Sequence, residues 1–516
     1  MTDIAAQASS DGRFSARVGR TAPSGLWMVL SSAAQSVIGI ASTAILARTL
    51  EIDAFGLFAM AVAPFAVAVA LRDLGIPHAI VQQRRVDDGL LTSVFWMNAR
   101  WAVAVALSMS CLAVPLSWLF EQTLLLALVP TVAGSVMLLS LSNVHSALLR
   151  RTMRFRSIAA VDVTAALMSA SLAVFAAIEL AFGVWALLVQ YAANNVLIAL
   201  GRFVAFRWLP ARSADAAPAQ FRRIRRFSVA IVGHGLLTNL SRNLDKFLLG
   251  AMFVPETLGL YQKSSHYATL AAQQAAQPTL PVAVSTLSAM AGDPPEYRRG
   301  FRQIAGTLAA FGFGASAWVA LCATELILLL LSRDWLEAVP YLRILSVASA
   351  CSLVPLILKW AFLSAGTGRA LIKHALFAGP VLMLCVAVGA VWGALGIAVG
   401  FAIGSALAAI PAVVLSVRHT PLRASDIART FLPAALLAVL GCGAAAFGRS
   451  VFGWEADVLT DPVETPYVSC AIQAVSCGIV CGLPPFIMAF TILGPIMRSL
   501  RDPPPNTQLP TEEMPK

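Results

Sequence analysis

Residues 150–207 read RRTMRFRSIAAVDVTAALMSASLAVFAAIELAFGVWALLVQYAANNVLIALGRFVAFR, and the order of charged and apolar residues in this stretch decides the fold. Two arginine-bearing ends enclose two apolar runs, 157–179 and 182–205, and the gap between the runs holds no Lys or Arg. Each run exceeds the roughly 20 apolar residues that a helix needs to cross the hydrocarbon of a bilayer. With no water there to satisfy the backbone, such a run must be helical. The stretch therefore reads as a transmembrane hairpin whose two ends are held on one side by arginine.

Working outward, the alternation repeats along the chain. Apolar segments fall at 24–48, 54–75, 90–115, 123–149, 157–179, 182–205, 226–250, 257–290, 301–325, 338–365, 370–392, 394–417, 427–447 and 466–497. With the last few residues at each segment end counted in the adjoining loop, 28 of the 37 Lys and Arg residues lie in the tails and in every second loop, three in the loops between, and six inside the segments. Basic residues stay in the cytosol during insertion, so the expectation is a bacterial inner-membrane protein of about 14 transmembrane helices with both termini cytoplasmic. The basic loops carry Arg72, Arg84 and Arg85, then Arg222, Arg223, Arg225 and Arg226, then Arg298, Arg299 and Arg302. The longest loop of the other set, 448–465, is acidic.

Composition fits: 58% of residues are apolar, 12% are charged, and the mean hydropathy is +0.77. The net charge of +11 is what basic cytoplasmic loops facing anionic lipid headgroups produce, and it calls for no nucleic acid. The polar residues 1–23 carry no apolar stretch before a cleavage site, so no signal peptide is expected. Arg13, Arg17 and Arg20 either lie on headgroups or belong to a free tail. The proline-rich end, 498–516, is expected to be a disordered cytoplasmic tail. All eight cysteines lie in apolar segments without histidine partners at metal-ligand spacing, so neither disulfides nor a metal site are expected.

An internal repeat divides the chain. Asp53-Ala54-Phe55-Gly56-Leu57-Phe58 matches Glu256-Thr257-Leu258-Gly259-Leu260-Tyr261 at an offset of 203 residues, and Phe182-Gly183-Val184-Trp185 matches Leu395-Gly396-Ile397-Ala398 at 213. Six spans separate the copies, so the repeat is parallel. The expected organisation is an all-α integral membrane protein with six-helix lobes at 24–205 and 226–417. A basic cytoplasmic linker at 206–225 joins them, and a C-terminal helix pair occupies 418–497.

Ala44-Ile45-Leu46-Ala47-Arg48-Thr49-Leu50 running into Asp53-Ala54-Phe55-Gly56-Leu57 resembles a known family, as do Asp73-Leu74-Gly75-Ile76 with Gln82-Gln83, and Asp245-Lys246-Phe247-Leu248-Leu249-Gly250 running into Leu258-Gly259-Leu260-Tyr261. The resemblance, over roughly residues 20–430, is to the polysaccharide transporter family, the Wzx-type flippases of lipid-linked oligosaccharides. That family shares a superfamily with multidrug MATE exporters and lipid II flippases. The resemblance implies a polyprenyl-diphosphate-linked oligosaccharide as substrate, alternating access, H⁺ or Na⁺ coupling without an organic cofactor, and a polysaccharide polymerase and chain-length regulator as partners.

Such a substrate requires a wet cavity with cations for the diphosphate and amides or hydroxyls for the sugars. Charged residues inside a span are the candidates, because burying them in hydrocarbon is costly. Arg100 lies ten residues into the third segment, roughly 15 Å deep at 1.5 Å per residue, and reads as a cavity-facing anion site. Thr238, Asn239, Arg242, Asp245 and Lys246 form one polar stripe on the seventh segment, either an ion pair of Asp245 with Arg242 or a substrate contact. Lys263 and His266 add cations on the eighth. Arg343 and Lys359 sit near opposite ends of the tenth, where they are expected to snorkel. Gln190, Tyr191, Asn194 and Asn195 on the sixth segment, and Gln273, Gln274 and Gln277 on the eighth, either join helices or line the cavity. Asp162 is expected to pair with nearby arginines, with ion coupling by Asp162 or Asp245 as the alternative. Pro278 and Pro281 are expected to kink the eighth segment, and Gly396, Gly400 and Gly404 form a close-packing stripe.

There is no Gly-Lys dipeptide for a phosphate-binding loop, no His-Glu-x-x-His, no nucleophile elbow and no large extracytoplasmic domain, so an enzyme is not expected. A small-cation antiporter would need an acidic cavity, and a scaffold of a polysaccharide assembly complex is the remaining alternative. The charge alternation gives the first prediction. Alkaline phosphatase fused after Glu455 will be active, whereas fusions after Arg226 or at the C-terminus will be inactive; the reverse pattern would overturn the orientation.

Overall fold

The computed structural model describes residues 27–73, 88–211 and 239–452. The fourteenth segment, most of the basic linker, both tails and the loop of Arg72, Arg84 and Arg85 beyond Asp73 lie outside the described residues. Among the described residues all regular structure is helical and there is no strand. Nine helical stretches are long and apolar enough to cross a membrane.

The helices of the first half are α1 (Trp27–Thr49), α2 (Ile52–Asp73), α3 (Asp88–Cys111), α4 (Ala113–Leu119), α5 (Leu125–Leu141), α6 (Asn143–Arg151), α7 (Phe155–Ile178) and α8 (Val184–Ala205). Those of the second half are α9 (239–252), α10 (Pro255–Ala289), α11 (Pro294–Leu321), α12 (Ala323–Leu330), α13 (Ala338–Ser364), α14 (Gly368–Gly389), α15 (Gly393–His419) and α16 (Ala424–Phe452). Thirteen of the fourteen apolar segments thus correspond to described helices.

Three segments expected as single helices are broken. The third divides at Leu112 into α3 and α4 because Pro115 has no N–H to give and crowds the carbonyl of Cys111. The fourth divides at Ser142, where hydroxyls compete for helix carbonyls: Ser140 Oγ donates to Val136 O at 2.8 Å and Ser142 Oγ to Leu139 O at 2.7 Å. The ninth divides at Cys322 into α11 and α12. The eighth, by contrast, runs as one helix of 35 residues through Pro278 and Pro281 rather than ending at them.

The lipid tails are as apolar as the core, so close packing rather than hydrophobic burial joins these helices. In the first half α2, α3 and α8 gather around α5, and α7 packs against α8. In the second half α13 packs against α10, α11 and α15, and α16 lies along α11. Stretches of large exposed apolar residues, such as Leu107, Val439 and Phe447, mark the outer surface. Helices α14 and α15 form a tight antiparallel hairpin. A Cβ at Gly396 would collide with the Gly389 carbonyl, one at Gly400 with the Cys385 carbonyl, and one at Gly404 would stand 3.1 Å from Leu382 Cα. The expected close-packing stripe is therefore real.

The two halves meet through α2 and α10, the helices that carry the repeated motif. A Cβ on Gly56 would collide with the Pro255 carbonyl, and one on Gly259 would lie 2.9 Å from the Ile52 carbonyl oxygen and 3.1 Å from Gly56 N. Ile52 and Pro255 are themselves 203 residues apart, so each copy of the motif presses its glycine on the other copy's helix start. The end containing this contact also holds Arg48, Phe120 and Trp335; the opposite end carries Arg150, Arg151, Arg298 and Arg299. Towards that arginine end the core divides. One cluster, around Tyr297, Phe301, Trp360 and Phe431, belongs wholly to the second half, and another, around Leu90, Val94 and Val144, wholly to the first.

Among the described residues, cysteines 111, 322, 351, 385 and 442 form no disulfide with one another. Substituting Gly400 with Val will lower stability by about 1–3 kcal/mol through overpacking, read as a fall in melting temperature in detergent. Gly443→Val, at a glycine with open space around it, serves as the control.

Candidate functional site

The central helices α9 and α10 concentrate the embedded cations. Between Thr257 and Leu270 of α10, His266 is the one exposed residue, although this helix is flanked by α2, α11 and α13. Arg242 is likewise accessible at its side chain while lying deep in the protein mass. Accessible charge inside a bundle marks a wall facing water rather than lipid. Lys246 and Lys263 lie within electrostatic range of His266, so three cationic positions from two helices converge. Lys246 donates to Asn243 Oδ1 at 3.1 Å, and Asn243 in turn donates to the Asn239 carbonyl at 2.8 Å, which ties the polar stripe of α9 together. Lys263 Nζ sits 4.6 Å from the centroid of the Phe55 ring on α2, a cation–π contact between the halves.

The expected pairing of Asp245 with Arg242 does not form. Asp245 points into the core, 1% exposed, and accepts a 2.6 Å hydrogen bond from the Tyr261 hydroxyl of α10, while its Oδ1 has no partner among the described residues. The carboxylate is in electrostatic range of Lys246 but does not pair with Arg242. Asp162 does pair, with Arg202 of α8 at 3.6 Å; Arg202 also donates to Ser142 Oγ at 3.5 Å, and Arg150 is in electrostatic range.

Among the amides, Gln190 donates to Ser42 Oγ at 2.8 Å and Asn195 to Ser135 Oγ at 3.2 Å, so these two join α8 to α1 and α5. Asn194, between them in sequence and half-buried, makes no such bond. Gln273, Gln274 and Gln277 lie on α10, but their side chains are outside the described residues, as is Thr238. Arg100 is exposed halfway along α3 and shares its face with Trp96, Val103 and Leu107. No described contact brings Arg100 to the α9–α10 cluster.

Two residues that the sequence did not assign to the site belong beside Arg242. Lys359 of α13, expected to snorkel, is half-buried in electrostatic range of Arg242, as is His374 of α14, whose Nε2 lies 3.1 Å from the Ala408 carbonyl. Helix α14 reaches α9 at a small-residue contact, where a Cβ on Gly379 would meet Ser241 Oγ at 2.6 Å. Arg343 stays at the surface, 3.4 Å from Thr324 Oγ1.

The fold of these two packed helical halves is similar to those of solved membrane transporters. An inward closed structure of the lipid II flippase MurJ matches with a TM-score of 0.64 at 13% identity, covering 92% of this chain and all of that one. An inward-facing multidrug resistance MATE transporter matches with a TM-score of 0.61 at 16% identity, covering 77% of this chain and 96% of that one. The chain belongs to the polysaccharide biosynthesis protein family, whose model matches residues 45–340, and the resemblance read from the motifs is borne out. Relatives include the succinoglycan biosynthesis transport protein ExoT of Rhizobium meliloti, 26% identical over 72% of this chain and 74% of its own length. The lipopolysaccharide biosynthesis protein WzxC of Escherichia coli is 20% identical over 62% of this chain and 65% of its own.

The buried Asp245 leads to a stability prediction. Tyr261→Phe removes the donor to a buried carboxylate and will cost about 1–3 kcal/mol. Adding Asp245→Asn will recover part of the loss, as measured by thermal unfolding in detergent; equal stability of Tyr261→Phe and the wild type would mean that the hydrogen bond contributes nothing.

Proposed function

We propose that this protein is a flippase that moves a polyprenyl-diphosphate-linked oligosaccharide repeat unit from the cytoplasmic to the periplasmic leaflet by alternating access, in the synthesis of exopolysaccharide, capsule or O-antigen. The observation that carries the reading is the cluster of Arg242, Lys246 and Lys263 with His266 on α9 and α10, with Arg242 and His266 exposed inside the helical mass. A diphosphate needs several positive donors at membrane depth, and it repays their desolvation with charge-assisted hydrogen bonds. Arg242, Lys246, Lys263 and His266, extended by Lys359 and His374, serve that group. Asn194, Asn239 and Gln274 are assigned to the sugars, whereas Arg100, on the outer face of α3 with Val103 and Leu107, is given no part in the cavity.

The same proposal takes the arginine end as cytoplasmic, with both termini there, and takes 24–205 and 226–417 as lobes that rock about the basic linker 206–225. The divided core at the arginine end and the shared core at the other support a path that alternates between those ends. Asp245, buried with one free oxygen, is the candidate for H⁺ or Na⁺ coupling. Asp162 is less suited because Arg202 already occupies it. A polysaccharide polymerase and a chain-length regulator are the expected partners, with anionic lipids around the basic loops. A small-cation antiporter shares the fold, but a wall of Arg, Lys and His repels its substrate.

In cells that depend on this protein for a surface glycan, Lys263→Ala and Arg242→Ala will each reduce export at least tenfold at unchanged abundance. Arg242→Lys will keep part of the activity, because a charge remains while the bidentate fork is lost. Full export by a protein carrying both Ala substitutions would remove the cation wall from the mechanism.

A further inference from the structure

At the end opposite the arginines the two halves are fastened in layers. Innermost is the reciprocal contact of Gly56 and Gly259. Above it Trp335 is fully buried, its ring edge-on to Phe55 with centroids 5.1 Å apart and its indole N–H donating to the Ala47 carbonyl at 3.2 Å. Outermost is Arg48, at the end of α1. Its Nε donates to the Leu331 carbonyl at 3.1 Å and its Nη2 to the Leu329 carbonyl at 2.8 Å. These carbonyls close α12, where the helix leaves its last acceptors unpaired and carries the negative end of its dipole. A guanidinium is well suited to such a place.

The inner layers are symmetric and Arg48 is not. Ala47 has its repeat counterpart in Gly250, and where Trp335 covers Ala47, Phe120 covers Gly250, a Cβ there standing 3.1 Å from the Phe120 ring. The counterpart of Arg48 is Ala251, which has no charge to offer. Arg48 therefore adds an exposed polar fastening, outside the buried Trp335 N–H, to a nearly two-fold joint. Its exposure to solvent is what makes it reversible. When Arg48 lets go, water takes over both the guanidinium and the carbonyls, whereas the buried Trp335 N–H has no such substitute.

We infer that Arg48 is the latch of this end: it holds the halves together over α12, and its release from the Leu329 and Leu331 carbonyls is the step that lets the end open. Arg48 is thus a positioning residue that acts through the backbone of α12 and touches no substrate. The inference draws its consequence for export from the alternating-access reading proposed above, but the latch itself needs no substrate to be tested.

The test uses full-length protein in detergent with its native cysteines replaced and one reporter added, either Leu258→Cys, fully buried beneath the latch, or Arg242→Cys, on the accessible inner wall. Arg48→Gln will raise the maleimide labelling rate at position 258 by about three- to tenfold and lower it at 242, because opening one end closes the other. Arg48→Lys, able to reach one carbonyl, will fall between. Hydrogen exchange in a protein with no reporter cysteine provides a second reading: Arg48→Gln will speed exchange in 46–60 and 329–338 and leave 90–102 unchanged. Labelling that rises at both positions, or exchange that rises everywhere, would reduce Arg48 to a stabilising residue and overturn the latch, as would unchanged rates in folded protein. Normal gating together with lost binding of a polyprenyl diphosphate would instead count against the flippase reading alone.

Discussion

The contact between Gly56 and Gly259 is the constraint on which the remaining architecture hangs. Two helix starts approach until backbone touches backbone, which only residues without a Cβ permit. That approach fixes where α2 and α10 stand, and with them the two sets of helices that each carries. It also explains why the motif occurs twice. A contact in which each partner presents the same surface needs one solution used twice, as in a symmetric dimer, and here the dimer lies within one chain.

From this joint the chemistry divides between the halves. The second half carries the accessible cations on α9 and α10 with Lys359 and His374 nearby, while the first contributes amides and hydroxyls, many of them spent on holding α8 to α1 and α5. The carboxylates are kept out of the way. Asp245 is buried under Tyr261, Asp162 is held by Arg202, and Asp426 is held by two arginines. These three acids are thereby held in contacts of their own, away from Arg242 and Lys263.

The spans and the repeat were legible because each rests on a local rule: hydrocarbon thickness sets the length of an apolar run, and arginine marks its ends. The helix break at Leu112 went unread although its cause, Pro115, is local, and the one at Ser142 depends on how two hydroxyls share helix carbonyls. The site was less legible because its members are far apart in sequence. Arg242 and Asp245, one turn apart, look like a pair, but the carboxylate finds its donor sixteen residues away on another helix. Lys359 and His374 look like isolated charges near helix ends until the Ser241–Gly379 contact draws α14 against α9. Arg48 looked like a stray loop charge, since nothing in the sequence says that the end of α12 lies above it.

Asp426, at the start of α16, accepts from Arg423 N at 3.1 Å and sits 3.7 Å from both Arg298 and Arg302 of α11, while Arg298 also donates to the Pro421 carbonyl at 2.6 Å. Phe431 of α16 packs edge-on to Phe313 of α11 farther along. A helix outside the repeat is thereby riveted to one half alone. That half becomes the heavier and stiffer body, with more perimeter gripped by lipid. In the proposed rocking about the glycine joint, the bilayer resists displacement of the ballasted half most, so the greater share of the swing falls to the lighter half. The added helix would then work as a keel, deciding which part of a nearly symmetric machine stands still.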